Sequence, residues 1–395
     1  MNKLAVLIVG YNRPQNVERL LKSLGMADYE GDQVDLLISI DHSEDDCVEQ
    51  MVQKYVWNYG KKKIYTYPER MGLRKHIIHC GRFLEDYDAI AVLEDDLYVS
   101  PTFYSYMKQT VEKYKNDCQI AGISLYTHLW NPNPSVNLPF EPADSAYDVF
   151  FMQYAQSWGQ IWMKKQWKEF MEWYDQNSGA ILSNEEFPEY ISSWGQSWLK
   201  YHIKYCVEKN RYFVYPYRSF TTCFTDVGEH NLFGGSIYQV PLCVKSSKTV
   251  RLPNFGVSDG VYYDVFFERQ RMESFLGVED GKLMVDLYGA KKIDDQKYQY
   301  LLTMKPYPYK VEKSFGLHMR PHEENVCSHI SGEDIFLYRL DKKSCVVKHS
   351  SSEAIRYIFY HRIHGNTQTL LDVWKSKIYE YVRIKRRQLM KLKNK

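Results

Sequence analysis

Three acidic residues in a row, Glu94, Asp95 and Asp96, close an unbroken apolar run over residues 89–93. Carboxylates this close repel one another unless a cation or hydrogen-bond donors neutralise them. The chemistry such a set can do is to hold a divalent metal and, through it, a phosphorylated ligand. An isolated Glu-Asp-Asp is equally what a solvated acidic turn looks like, so its surroundings decide. The apolar run has the length of a strand buried on both faces. Open α/β sheets bind ligands just outside the carboxyl ends of such strands.

The same arrangement recurs along the first hundred residues. Residues 4–9 predict a strand that ends on Gly10-Tyr11-Asn12-Arg13-Pro14, and residues 35–40 a strand that ends on Asp41. Residues 64–67 predict a third, followed by the basic stretch 70–75 that contains Arg74. Between them Val17, Leu20, Leu21 and Leu24, then Val48, Met51, Val52 and Tyr55, have helical spacing, with Pro14 placed to open the first helix. Strand–helix alternation at this rhythm implies right-handed βαβ units and an α/β fold with a mainly parallel sheet. Asn12, Arg13, Asp41, Arg74 and the acidic triplet then share one rim, which suits a nucleotide diphosphate. No Gly-rich phosphate loop of the dinucleotide or Walker type is present. Holding phosphates falls to a metal and to cationic side chains.

Composition bounds the rest. With 395 residues, 44% hydrophobic and 25% charged, the chain is long enough for two domains of ordinary globular character. Aromatic residues make up 15%, including 34 Tyr, which suits sugar-binding surfaces and aromatic cores alike. The net charge of +2 conceals a basic tail: residues 375–395 hold nine Lys or Arg and one acid, so the body is net acidic. An acidic body argues against nucleic acid as its partner. Eight scattered cysteines without CxxC spacing suit reduced thiols rather than a disulfide framework. The first residues lack a signal-peptide pattern, and no apolar run approaches the roughly 18 residues that span a bilayer. The expected location is cytoplasmic.

Residues 6–14, Ser39-Ile40-Asp41, Gly72-Leu73-Arg74 and the stretch from Glu94 to Phe103 resemble the GT-A glycosyltransferases. The last is similar to bacterial family 2-type enzymes and to the N-acetylglucosaminyltransferases that begin complex N-glycan branching. The resemblance covers about residues 1–235. It implies a nucleotide-diphospho-sugar transferase in which the triplet is a variant DxD motif, Asp96 ligates Mn²⁺ or Mg²⁺, and Glu94 and Asp95 touch the donor. It also implies that Asp41 reads the uracil ring and that Arg13 lies near the nucleotide, so a UDP-sugar is the expected donor. Residues 156–163, followed by a helical stretch, resemble the family's aromatic-Gly strand beside the donor sugar. Trp158 is there the candidate stacking platform, and Trp167 and Phe170 are core.

The general base is the open point. Inverting transfer needs a carboxylate within reach of the acceptor hydroxyl. Where the family carries acids, this chain reads Trp194-Gly-Gln196-Ser197-Trp198. Glu185, Glu186, Asp226 and Glu229 are alternative bases; a retaining reaction or a domain that only binds donor are the other readings. Residues 225–231 resemble the loop that closes over the donor, with His230 a candidate second metal ligand and Gly228, Gly234 and Gly235 candidate hinges.

The rhythm changes near residue 241, giving expected units of 1–240 for the transferase domain, 241–368 for a mixed accessory lobe and 369–395 for a basic amphipathic helix. In that helix Leu371, Trp374, Ile378, Tyr381 and Val382 have helical spacing between basic residues. It reads as a binder of an anionic membrane surface or of another subunit. The expected acceptor is a surface glycan or a lipid-linked oligosaccharide. A nucleotidyltransferase on a similar sheet is the rival enzyme class, but residues 10–14 lack the Gly-rich loop and lysine it needs.

Overall fold

The computed structural model describes residues 2–133, 136, 138–179, 186–224, 226, 238–245 and 249–345, and helical positions 371, 374–375, 378–379, 381–382 and 385–386. The first half follows the alternation in the sequence. Strand β1 (Leu4–Gly10) leads to α1 (Pro14–Gly25), β2 (Asp35–Ile40) to α2 (Cys47–Lys54), and β3 (Lys62–Thr66) to α3 (Leu73–Cys80). Then come β4 (Ala89–Glu94), β5 (Leu97–Val99), α4 (Phe103–Tyr114) and β6 (Ile120–Ser124). The chain continues through β7 (Val149–Met152), β8 (Gln160–Met163), α5 (Lys164–Asn177), α6 (Glu189–Ser192), α7 (Leu199–Glu208), β9 (Tyr212–Pro216), β10 (Thr221–Cys223) and β11 (Tyr262–Tyr263).

Nine of these strands form one sheet in the order β11-β7-β9-β6-β8-β4-β1-β2-β3. It is mainly parallel, with β8 running antiparallel between β4 and β6, and β7 antiparallel to β9. Alternation along each strand feeds two cores. On β1, Leu4, Val6 and Ile8 face the layer of α1, α2 and α4, while Ala5, Leu7 and Val9 face that of α3, α5 and α7. On β4, Ala89, Ala91 and Leu93 divide from Ile90 and Val92 in the same way. The helices present matching stripes: α1 buries Val17, Leu20, Leu21 and Leu24, each side chain contributing about 1.5–3 kcal/mol. Pro14 occupies its first turn, where no N–H is required.

The core of the accessory lobe begins at Met272 rather than near residue 241, because Val250, Leu252 and Phe255 pack on the large sheet and β11 belongs to it. The accessory sheet comprises β12 (Leu283–Val285), β13 (Tyr300–Thr303), β14 (Tyr309–Phe315) and β15 (Ile335–Lys343), in the order β12-β13-β15-β14. A polar seam joins it to the first body. Buried Lys291 pairs with Asp264, Tyr263 donates its hydroxyl proton to Glu323 at 2.6 Å, and Arg269 bonds Glu324 at 2.5 Å. All eight cysteines are free thiols. No described helix is long and apolar enough to cross a membrane.

Candidate active site

Glu94 is the last residue of β4, and Asp95 and Asp96 make the turn into β5. Because β4 lies beside β1, Arg13 just after β1 reaches this turn. Its Nε donates to Asp95 Oδ2 at 3.3 Å, its Nη2 pairs with Asp95 Oδ1, and Nη2 stands 3.9 Å from Asp96 Oδ2. Asp95 is only 3% exposed, whereas the Asp96 side chain keeps 22% of its surface. Two parallel bonds to one carboxylate fix the guanidinium. Arg13 and Asp95 thus form a pair, and Asp96 and Glu94 are the acids that keep exposed surface.

Electrostatically the site is short of positive charge. Burial pushes the Glu94 carboxyl up to about 8, with repulsion from Asp96 and Asp95 added and Arg13 opposing. Burial likewise pushes Asp95 up to about 6 against the pull of Arg13, and raises Asp96. One guanidinium stands among three acids whose charged forms are disfavoured, and a further cation bound here would favour those charged forms. The donor set suits a hard divalent ion, which takes oxygen ligands and is often held by one or two carboxylates plus ligand phosphates. Among the described residues, three ligand atoms already converge within 4.8 Å only at exposed Asp45, Asp46 and Cys47. There the Asp45 carboxylate accepts the Cys47 N–H at 2.8 Å, which is the ordinary hydrogen bonding of a helix entry.

The β5–β10 ribbon brings a distant segment to the acids. Cys223 opposes Leu97 in the ladder and hydrogen-bonds the Asp96 carboxylate, while the Phe224 N–H donates to the Asp96 carbonyl at 2.9 Å. Asp226 is close enough to raise Asp96 further and is itself paired with Arg19 of α1. The Arg19 guanidinium also lies 3.8 Å from the centroid of the Phe224 ring.

The other rim residues have diverse surroundings. Asn12 is exposed beside Arg13. Buried Asp41 accepts N–H bonds from His42 at 2.9 Å and from Met71 and Gly72 at 2.8 Å each, so it organises the loop that enters α3. Gly72 has φ +75° there, a conformation glycine adopts without strain. Arg74 turns toward α5 and α7: Nε bonds the Tyr174 hydroxyl at 2.9 Å, Nη2 the Ser178 carbonyl at 2.7 Å, and the guanidinium lies 4.2 Å from the Tyr201 ring centroid. These contacts tie Arg74 to α5 and α7.

Trp158 stands at the head of β8, half-buried. Tyr238 stacks on it with centroids 4.5 Å apart and planes 24° apart, and Tyr126 and His128 pack nearby. The Thr221 hydroxyl fixes its carbonyl at 2.5 Å. The expected stacking platform therefore already carries one aromatic partner. Trp167 and Phe170 are core, and Trp162 stacks on Trp167.

Of the candidate bases among the described residues, Asp226 is placed beside the triplet. Glu186 is exposed and pairs with Lys297 at the accessory lobe. Gln196 is exposed in the turn before α7. Glu185, Glu229 and His230, with hinges Gly228, Gly234 and Gly235, lie outside the described residues. Sequence reasoning passed over Arg19, Cys223 and Tyr238. Arg19 sits on what reads as a solvated helix face, and Cys223 and Tyr238 lie over a hundred residues from the acids, so no local pattern marks them.

A mainly parallel sheet between two helical layers, with acids at the carboxyl end of a central strand, is consistent with the GT-A fold. Residues 5–177 match the family described as glycosyl transferase family 2. Among solved structures it is similar to TarS residues 1–349 from S. aureus, at 16% identity and TM-score 0.36, covering 55% of this chain and 59% of that one. The same protein in complex with UDP-GlcNAc matches at 14% identity and TM-score 0.38, over 58% and 60% of the two chains. The mannosyltransferase PcManGT from Pyrobaculum calidifontis, in complex with GDP-Man and Mn²⁺, matches at 13% identity and TM-score 0.33, over 54% and 56%. The chain thus spans about 60% of the length of the first of these structures. No curated protein is significantly similar to it in sequence.

Proposed function

We propose that the chain transfers a sugar from a nucleotide-sugar, UDP-linked, to a glycan acceptor of surface polysaccharide or lipid-linked oligosaccharide synthesis, with inversion. The observation that carries this reading is the charge arrangement at the end of β4, where Asp95 is paired with Arg13 while Asp96 and Glu94 keep exposed surface. Asp96 would hold Mn²⁺ or Mg²⁺, with Glu94 on the donor side. Bound there, the ion supplies Lewis-acid neutralisation of the diphosphate. Arg13 adds a fixed positive charge beside the same phosphates, and Asn12 and Asp41 lie along the nucleotide. Trp158 and Tyr238 wall the donor sugar. Asp226 is the base this reading favours: its carboxylate is at the site, and Arg19 orients it. Holding donor and acceptor together is worth several kcal/mol, and electrostatic preorganisation is the other large contribution.

The terminal helix supports a peripheral position at the inner face of the membrane. Leu371, Trp374, Ile378, Tyr381 and Val382 are all at least 42% exposed. Apolar and basic residues combined in this way suit an anionic lipid surface, and with it a lipid-linked acceptor.

The test is binding and slow hydrolysis of a panel of UDP-, GDP- and other nucleotide sugars, with and without Mn²⁺ or Mg²⁺, in wild type and Asp96→Ala. The expected result is one donor bound and hydrolysed with metal only, and a loss of at least a hundredfold in hydrolysis in Asp96→Ala. Binding without hydrolysis or transfer would reduce the chain to a donor-binding module. No binding under any condition would make the triplet a solvated turn.

A further inference from the structure

A cavity of about 390 Å³ opens on the same rim of the sheet, away from the acidic turn. It lies between the start of α4, the start of β7, the end of β9, and Cys243, Lys245, Val250 and Arg251. Strands β4 and β9 are separated by β8 and β6, so its floor is about 14 Å along the sheet from the acids, at three strand spacings. Its size is within the range of small-molecule sites, about 300–1,000 Å³.

The lining combines ring faces with uncompensated cations. Tyr147, Tyr217 and Phe220 are half-buried in its wall. Tyr217 is fixed by its hydroxyl bond to the Ala143 carbonyl at 2.7 Å, and Phe220 is backed by Tyr106 in a stack with centroids 4.5 Å apart. Ring faces held in this way suit the C–H faces of a sugar. Arg251 is already paired with Asp148 at 3.1 Å, with Asp144 also acting on it. Arg218 and Lys245 line the cavity, are exposed, and make no ion pair among the described residues. One segment ties the cavity to the acidic site. Tyr217, Arg218 and Phe220 line the cavity, Thr221 fixes the Trp158 carbonyl, Cys223 touches Asp96, and Asp226 pairs with Arg19.

We infer that this cavity is an acceptor subsite for an acidic saccharide unit, its ring against Tyr217 and Phe220 and its anionic group between Arg218 and Lys245. The inference rests on the glycosyltransferase reading above. It deepens that reading by giving the acceptor a chemical class, an anion-bearing glycan gripped several sugar residues from the reacting hydroxyl. A carboxylate and a phosphate would both satisfy the two cations, and the test separates them.

The experiment is saturation-transfer NMR and titration calorimetry on the full chain with three probes: a uronic acid oligosaccharide, a phosphate-bearing oligosaccharide, and a neutral oligosaccharide of equal length. Wild type should bind an acidic probe at least tenfold more tightly than the neutral one, the preferred probe naming the anion. Arg218→Ala, a change at an exposed side chain, and Tyr217→Ala should each weaken that binding at least fivefold, with circular dichroism confirming the fold. Equal binding of the neutral probe, unchanged binding in both variants, or no binding of any probe would overturn the inference. Metal-dependent donor hydrolysis by the same wild-type sample separates that outcome from failure of the transferase reading itself.

Discussion

Arg13 and Asp95 are 82 positions apart in the chain, yet they form a bidentate contact. The acids, their order and the nearby arginine are all legible in the sequence. Which carboxylate is neutralised is not, because it depends on β1 and β4 being neighbours. Buried histidines show the same division between residue type and surroundings. His128 and His202 are each 1% exposed among aromatic rings, and neither ring nitrogen of either has a hydrogen-bond partner. Burial lowers both to about 3, and lowers His76 to about 4. With an unfolded value near 6.5, protonation favours the unfolded chain as the pH falls below that point. Stability is therefore complete above about pH 6.5 and is lost from there down toward 3, at roughly 1.4 kcal/mol per pH unit for each histidine. In urea melts at pH 7 and pH 5, His202→Leu should recover about 2 kcal/mol of the loss seen in wild type. An identical pH dependence in the variant would show that His202 is not held neutral.

At the scale of elements, hydrophobic runs and helical spacing were enough to find β1, β2, β4, α1 and α2, because each is locally amphipathic or uniformly apolar. The antiparallel insertion of β8 between β4 and β6 leaves no such trace, since a buried strand carries the same apolar run in either direction. The short aromatic strands β7 and β9 lack the alternation that marks a strand. The entry to β8 passes through a glycine that the sequence shows but does not explain. Gly159 has φ +100°, and a Cβ there would stand 2.9 Å from the Thr221 methyl and 3.3 Å from Leu125 Cβ. Gly159→Ala should therefore cost on the order of 1–3 kcal/mol. It should also move Trp158, seen as a fall in thermal midpoint together with weaker donor binding. A midpoint equal to wild type would remove this account of the loop.

For the whole molecule, the core of the accessory lobe starts at Met272 and not at the change of rhythm near residue 241. Residues 249–271 still complete the first body, with β11 on its sheet. A boundary is set by which side chains share a core, and that is a property of packing rather than of composition. The basic terminal helix is tested at this scale. Full-length chain should co-sediment with vesicles containing phosphatidylserine and not with neutral ones, and salt should weaken the binding. Each basic residue at the surface is worth about 1 kcal/mol, so Lys385→Glu with Arg386→Glu should cut partitioning at least tenfold. Vesicle binding that survives both this change and removal of residues 369–395 would place the lipid contact elsewhere.

The sequence by itself determined the α/β class and the acidic turn at a strand end, because each rests on local periodicity or on adjacent residues. Tertiary structure decided the rest. It turned Arg74 toward Tyr174 and Tyr201, gave Asp41 to the loop before α3, stacked Tyr238 on Trp158, and brought Cys223 and Asp226 to Asp96. These are contacts between segments far apart in the chain. They follow from strand order and helix packing, so no window of sequence contains them.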